Sequence, residues 1–389
     1  MSESQAKWSP RILARSARIV SGLVLLAFVT THLLNASLGL ISLDAMDAAE
    51  GFLTGIWGGL PLGPVLMLSF FAHFFLGLWS IYQRPTLRTN SEDMMQLITA
   101  VLVVPLMATH VLGIYLSNDF GFVADYAGII RLMWIDQPSL GLLQVVVVSV
   151  VWVHGAAGLL IWMRSMEKAR NLILWVYPIV IIIPVLSLLG FSEAGRQALE
   201  QPMPQVAVET TDAVVEEERP AAPQRTREEV MEIITYIKDV TNWTIWGSLG
   251  LAAMTLIARW LRIRLGPNRA VLLVRDGASL EPFRSGLTVF DALQSQNEPH
   301  AGLCQGRGRC GTCAVRVLSS EFPLPGPTEL EQQTLLKRGL EPGARLACQL
   351  KPDGGQLVVE ALYPADYTFH SLDDQQTEPE SDEVVEAAT

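Results

Sequence analysis

The apolar residues of this chain are gathered in long runs and not spread at the periods of a soluble core. Uncharged stretches at 19–41, 60–82, 95–116, 139–163 and 171–191 can each cross about 30 Å of hydrocarbon as a helix. A sixth run, 241–260, is shorter and closes at Arg259. From about residue 268 the pattern changes to short alternating segments. "AVLLVRD", "PFRSGL", "CAVRVLS" and "GQLVVEAL" predict strands, with a turn at Gly277. "TVFDALQSQ" and "PTELEQQTLLKRG" predict helices, the first opened by a capping-box-like Thr288 and Asp291, the second closed by Gly339.

The expected fold is an all-α transmembrane bundle of about six spans followed by a small α+β domain. Its expected parts are an N-terminus at 1–18, five helices at 19–191, an acidic, Pro-containing loop at 192–240, a sixth helix at 241–263, the α+β domain at 268–366 and a disordered acidic tail at 367–389. The first run lacks a clear small-residue cleavage site, so a retained anchor is expected and not a removed signal peptide.

Composition agrees with the lipid bilayer as the chain's surroundings: half of the residues are hydrophobic and the mean hydropathy is +0.32. Basic residues then set an orientation. Lys7, Arg11, Arg15 and Arg18 precede span one, Arg84 and Arg88 follow span two, Arg164, Lys168 and Arg170 follow span four, and Arg259, Arg262, Arg264 and Arg269 close span six. These ends are expected in the cytoplasm, with both termini and the α+β domain on that side of a bacterial inner membrane. The net charge is −11, but residues 371–389 carry seven acids and no base; that tail and the acidic 200–218 stretch read as solvated segments. No basic, aromatic-studded face suggests nucleic acid.

Against this background the histidines stand out. Four of the six, His32, His73, His110 and His154, fall one in each of the first four spans. An ionisable ring in hydrocarbon is costly and signals function. At 1.5 Å of rise per residue, His32 and His110 lie about 20 and 22 Å from the cytoplasmic ends of their spans, and His73 and His154 each about 13 Å. The four therefore occupy an outer and an inner level. Neutral imidazole is an axial ligand for haem iron, and two imidazoles from facing helices make a six-coordinate haem suited to electron transfer. Two haem b groups are expected, with Gly22, Gly77, Gly113, Gly155 and Gly158 leaving room for flat macrocycles or close helix packing.

"SGLVLLAFVTTHLLNA" in span one and the single histidines of the first four spans resemble the dihaem cytochrome b anchors of succinate and fumarate:quinone oxidoreductases. The resemblance implies that His32 pairs with His110 and His73 with His154, as the shared depths also suggest, and that quinone binds near a haem. It covers roughly residues 11–191, because a sixth span departs from the five-helix anchors.

All four cysteines follow the last span, in "CQGRGRCGTC" and "RLACQL": Cys304, Cys310, Cys313 and Cys348. Cytoplasmic placement disfavours disulfides. Structural zinc sites pair their thiolates two and two, whereas three on one loop and one far along the chain is the ferredoxin pattern, so these four are the expected ligands of a 2Fe-2S cluster. N–H groups of Gly306, Gly308 and Gly311 are expected to donate to the cluster sulfurs, with Arg307 and Arg309 offsetting their charge. His300 reads as an ordinary loop residue.

Residues 268–366 look like a β-grasp ferredoxin whose C-x5-C spacing is similar to the adrenodoxin type. Taken whole, the chain resembles the N-terminal part of membrane-bound bacterial class III adenylate cyclases, on the signature matched by residues 306–313 and 345–349. That group joins a six-span dihaem module to such a ferredoxin; here only a few residues and the acidic tail follow Ala361, so no cyclase domain is expected. The sequence therefore points to a membrane-bound electron carrier working between two haems, quinone and a 2Fe-2S cluster, with a soluble or membrane redox partner of unassigned identity. The alternative is a redox-sensing module that acts on a separate partner such as a cyclase.

Overall fold

A computed structural model of the chain describes residues 10–87, 91–120, 125–164, 166, 169, 172–200, 226–266 and 269–367. The acidic 200–218 stretch beyond Glu200, the tail beyond Tyr367, Lys7, Arg88, Lys168, Arg170, Pro267 and Asn268 lie outside these residues.

Eight helices precede the sheet among the described residues: α1 (Pro10–Ser37), α2 (Leu43–Trp57), α3 (Leu62–Gln83), α4 (Ser91–Asp119), α5 (Tyr126–Arg131), α6 (Pro138–Arg164), α7 (Ile173–Glu200) and α8 (Arg227–Leu265). Six of them, all but α2 and α5, are long and apolar enough to cross a membrane. These six close a ring in which α1 packs on α3, α3 on α8, α8 on α4, α4 on α6, α6 on α7, and α7 back on α1. The four histidine-bearing helices are thus held together, with α8 wedged between α3 and α4, and α7 between α6 and α1.

Local chemistry explains several details. Pro184 inside α7 cannot donate to the carbonyl of Val180, and the indole Nε1 of Trp152 on α6 donates to that carbonyl instead at 2.7 Å. The connection at 42–59, between the first two apolar runs, contains α2, capped by Ser42, whose hydroxyl accepts from the N–H of Ala45. Leu43 and Met46 of α2 then pack with Ile130, Ala194 and Ala198. The loop expected at 192–240 is corrected at both ends: 192–200 and 227–240 are helical, because α7 continues to Glu200 and α8 starts at Arg227 behind a Thr226–Glu229 capping box. Charged residues in "REEVMEIITYIKDV" mask this extension in an apolar pattern, although they suit an exposed helix.

The second unit has strands β1 (Ala270–Arg275), β2 (Ala278–Ser279), β3 (Phe283–Arg284), β4 (Ala314–Ser320), β5 (Ala344–Leu346) and β6 (Gly355–Ala361), with helices α9 (Val289–Ser295) and α10 (Glu329–Lys337). The sheet order is β2-β1-β6-β4-β5, with β3 paired to β1. β1 and β6 run parallel, Leu273 opposite Leu357, and the other pairs are antiparallel. Alternation on β1 and β6 buries Val271, Leu273, Leu357 and Val359 against Val289 and Leu293 of α9, a core that leaves the cysteine loop at one edge. The short strands β2 and β5 add to the four that the alternation predicts, and β5 includes part of the "RLACQL" motif.

Candidate functional site

The loop between α9 and β4 carries three of the four cysteines, and Cys348 follows β5; all four are buried and none is in a disulfide. They meet in two pairs. Cys313 Sγ lies 3.3 Å from Cys348 Sγ. Cys310 Sγ accepts from the N–H of Cys304 at 3.4 Å, and the two thiols also hydrogen-bond to each other. Two thiolates on one tetrahedral metal at about 2.3 Å lie about 3.8 Å apart, so each pair suits one iron of a two-iron centre.

The loop can wrap in this way because its backbone enters the left-handed region repeatedly, at Gly306 (φ +80°), Gly308 (φ +64°) and Gly311 (φ +80°), and at Gln305 (φ +52°). The glycines supply curvature, but the N–H groups that reach sulfur come from other residues. Arg309 donates its N–H to Cys304 Sγ at 3.4 Å. Thr312 Oγ1 accepts from the N–H of Leu303 at 3.2 Å and lies 3.1 Å from Cys310 Sγ, within reach for its hydroxyl to donate once that sulfur is a thiolate. The hydrogen bond with Cys310, opposed by burial, draws the Cys304 thiol below its ordinary range, and the same contact pushes Cys310 up. Cys304 is therefore the readiest thiolate of its pair.

The loop rests on a buried ion pair that no motif in the sequence singles out. Glu331 of α10 is fully buried and accepts from Arg345 Nε at 2.8 Å and from the N–H of Leu346 at 2.8 Å. One turn on, Thr334 donates to the carbonyl of Gly308 at 2.6 Å. His300 lies with Nε2 3.4 Å from the carbonyl of Cys313, and burial lowers its pKa. It is placed against a cysteine's backbone and not against a thiol.

The four histidines of the long apolar helices come together as two pairs. His32 and His110 have ring centroids 5.8 Å apart with planes at 62°, and His73 and His154 have centroids 6.2 Å apart with planes at 82°. A metal about 2 Å from one nitrogen of each ring would set centroids about 6 Å apart. The donor set also fits. His73 Nδ1 donates to the carbonyl of Arg18 at 3.0 Å, and His154 Nδ1 lies 3.3 Å from Thr99 Oγ1, whose own proton goes to the carbonyl of Met95 at 2.8 Å. Both contacts put the proton on Nδ1 and leave the Nε2 lone pair free for a metal. On the other pair, His110 Nδ1 is buried with no hydrogen-bond partner among the described residues. At Gly22 an added Cβ would stand 2.8 Å from His73 Cε1, so this helix contact requires glycine.

The two units meet at the end of the bundle nearer His73. Arg307, in the cysteine loop, donates Nη1 to the carbonyl of Cys304 at 3.2 Å and Nη2 to Asp93 of α4 at 2.6 Å. Arg18 lies close enough to feel the charge of Arg307, and Arg84 that of Asp93 and of Asp291 on α9. Arg164 pairs with Glu92 at the same end, and Arg259 donates Nε to the carbonyl of Arg84 at 2.8 Å.

The family model for a 2Fe-2S iron-sulfur cluster binding domain matches residues 277–353. The 2Fe-2S ferredoxin of Escherichia coli is 38% identical over 89 residues, covering 23% of this chain and 79% of the ferredoxin. One of the subunits of the Na(+)-translocating NADH-quinone reductase of Chlamydia pneumoniae is 35% identical over 102 residues, 26% of this chain, and the chain spans 22% of that protein's length. The solved ferredoxin of Trichomonas vaginalis matches at 23% identity and a TM-score of 0.20, covering 23% of this chain and 98% of that one. Through its C-terminal domain, which carries a 2Fe-2S cluster, the chain belongs to the 2Fe-2S ferredoxin family.

Proposed function

We propose that this protein is a membrane-bound electron carrier that relays single electrons between two bis-histidine haems b in its helical part and the 2Fe-2S cluster of its ferredoxin domain, with quinone as its partner in the membrane. The observation that carries the reading is the pairing of four histidines from four helices at the spacing of two imidazoles on one metal. An iron held by two imidazoles keeps no open position and supplies one-electron transfer. The chain's residues do the rest. The carbonyl of Arg18 and the hydroxyl of Thr99 fix the tautomers of His73 and His154, and Cys304, Cys310, Cys313 and Cys348 are the ligands assigned to the cluster.

Large apolar side chains face outward on the long helices, among them Leu68 and Trp79 on α3, Leu174 and Trp175 on α7, and Trp243 and Trp246 on α8. Lipid is the solvent that suits them. The basic residues gather at the end that meets the ferredoxin domain, which supports placing that domain in the cytoplasm of a bacterium with the helices in its inner membrane. Quinone rests on the resemblance to dihaem anchors, and no residue is assigned to it.

The test is haem and iron stoichiometry in protein purified anaerobically from membranes, followed by a redox titration with optical and EPR detection. Two haems b and one 2Fe-2S cluster per chain are expected. One haem or none rejects the dihaem assignment.

A further inference from the structure

We propose that Asp93 and Arg307 form a latch that docks the cluster loop on the end of the helical bundle nearer the His73–His154 pair. The proposal deepens the electron-relay reading by naming the residues that position one half against the other.

Three observations carry it. First, the contact is desolvated: the Asp93 side chain is 6% exposed and that of Arg307 23%, at 2.6 Å. A carboxylate so buried needs cations about it; Arg84 of the bundle lies within range of its charge, and the guanidinium that hydrogen-bonds it at 2.6 Å arrives from the other unit. Second, one guanidinium spans both sides of the seam, because Arg307 holds the Cys304 carbonyl with Nη1 and Asp93 with Nη2. Displacing the cluster loop must therefore break a charge-assisted bond to the bundle. Third, Asp93 belongs to the helix that supports His154. Between Asp93 and Thr99, whose hydroxyl meets His154, α4 rises only about 9 Å.

The seam has a second point of attachment. Arg259 and Arg262 of α8 donate to the carbonyls of Arg84 and Tyr82 at 2.8 Å, which fixes the end of α8 against that of α3. Arg284 of β3 then donates to the carbonyl of Gly266 at 3.2 Å, holding the ferredoxin domain to the end of that helix. A tether at Gly266 and a latch at Asp93 together restrict rotation, which neither contact alone would do.

The test uses the full-length chain in lipid nanodiscs with its cofactors in place. Asp93→Asn leaves Arg307 and every cysteine untouched. It should retain the cluster absorbance while amide hydrogen exchange over 304–310 rises about tenfold or more, as expected for a segment that has lost its docking contact. Asp93→Glu keeps a carboxylate for Arg307 and should hold exchange near the starting value. In the same samples, electron transfer between haem and cluster should slow at least tenfold in Asp93→Asn and stay close to wild type in Asp93→Glu, with both spectra unchanged. Unaltered exchange in Asp93→Asn, or an equal rise in Asp93→Glu, overturns the latch. The exchange readout needs no haem, so a protein found to lack haem would refute the relay while the latch is still judged on its own result.

Discussion

The imidazoles of His73 on α3 and His154 on α6 face one another with ring centroids 6.2 Å apart and planes inclined at 82°. Each has its Nδ1 occupied, by the carbonyl of Arg18 in one case and the hydroxyl of Thr99 in the other. Geometry and tautomer thus favour the same use of the two Nε2 atoms.

The pairing has a direct consequence for substitution. His73→Ala and His154→Ala should each remove one and the same haem, and His32→Ala and His110→Ala the other. Haem content and the potential of the remaining haem identify which is lost. Variants of one pair that removed different haems would contradict the pairing.

Cys348→Ser should abolish the visible bands of the cluster and leave haem absorbance intact, since Cys348 supplies half of one sulfur pair from a segment far along the chain. A normal 2Fe-2S EPR signal in that variant, or zinc in place of iron in the wild type, would remove the ligand assignment.

Thr99→Val deletes the acceptor at His154 Nδ1. An imidazole that loses such an acceptor becomes a weaker donor, which favours ferrous iron. A neutral hydrogen bond is worth about 1 kcal/mol, equivalent to about 40 mV for one electron. The haem of the His73–His154 pair should therefore titrate at a higher potential, with haem content unchanged. No shift, or a fall, would show that Thr99 does not tune this site.

Glu331→Ala leaves Arg345 and the N–H of Leu346 buried without their carboxylate. Breaking one side of a buried ion pair costs about 3–5 kcal/mol. Cluster absorbance should be lost on heating at a clearly lower temperature than in the wild type, and an unchanged midpoint would contradict the supporting role given to Glu331.

The sequence is most legible where chemistry imposes spacing. Cys304, Cys310, Cys313 and Cys348 announce themselves by their intervals, and the histidine levels follow from helical rise alone. It is least legible where partners are remote. Asp93 and Arg307 are separated by 214 positions, and a first-turn aspartate ordinarily reads as a favourable charge near a helix N-terminus. Glu331 is similarly hidden: in the Thr328 capping box it looks like a surface acid, yet packing buries it against Arg345. Thr312 carries a usable signal, since a hydroxyl between two cysteines of "CGTC" is well placed to donate to sulfur. The α2 helix escapes a local reading because its acidic and small residues resemble a loop, and its stability comes from packing on α5 and α7, which no local pattern records.

The central claim is that electrons pass between the two halves of one molecule by way of the His73–His154 pair. The most direct measurement is rapid mixing of the reconstituted protein with a quinol analogue while the EPR signal of the reduced cluster is followed. In the wild type the cluster should become reduced, and in His73→Ala, with the cluster still present, that reduction should disappear. Reduction at the same rate in His73→Ala would contradict the relay and leave a direct external donor or a sensing role as the better account.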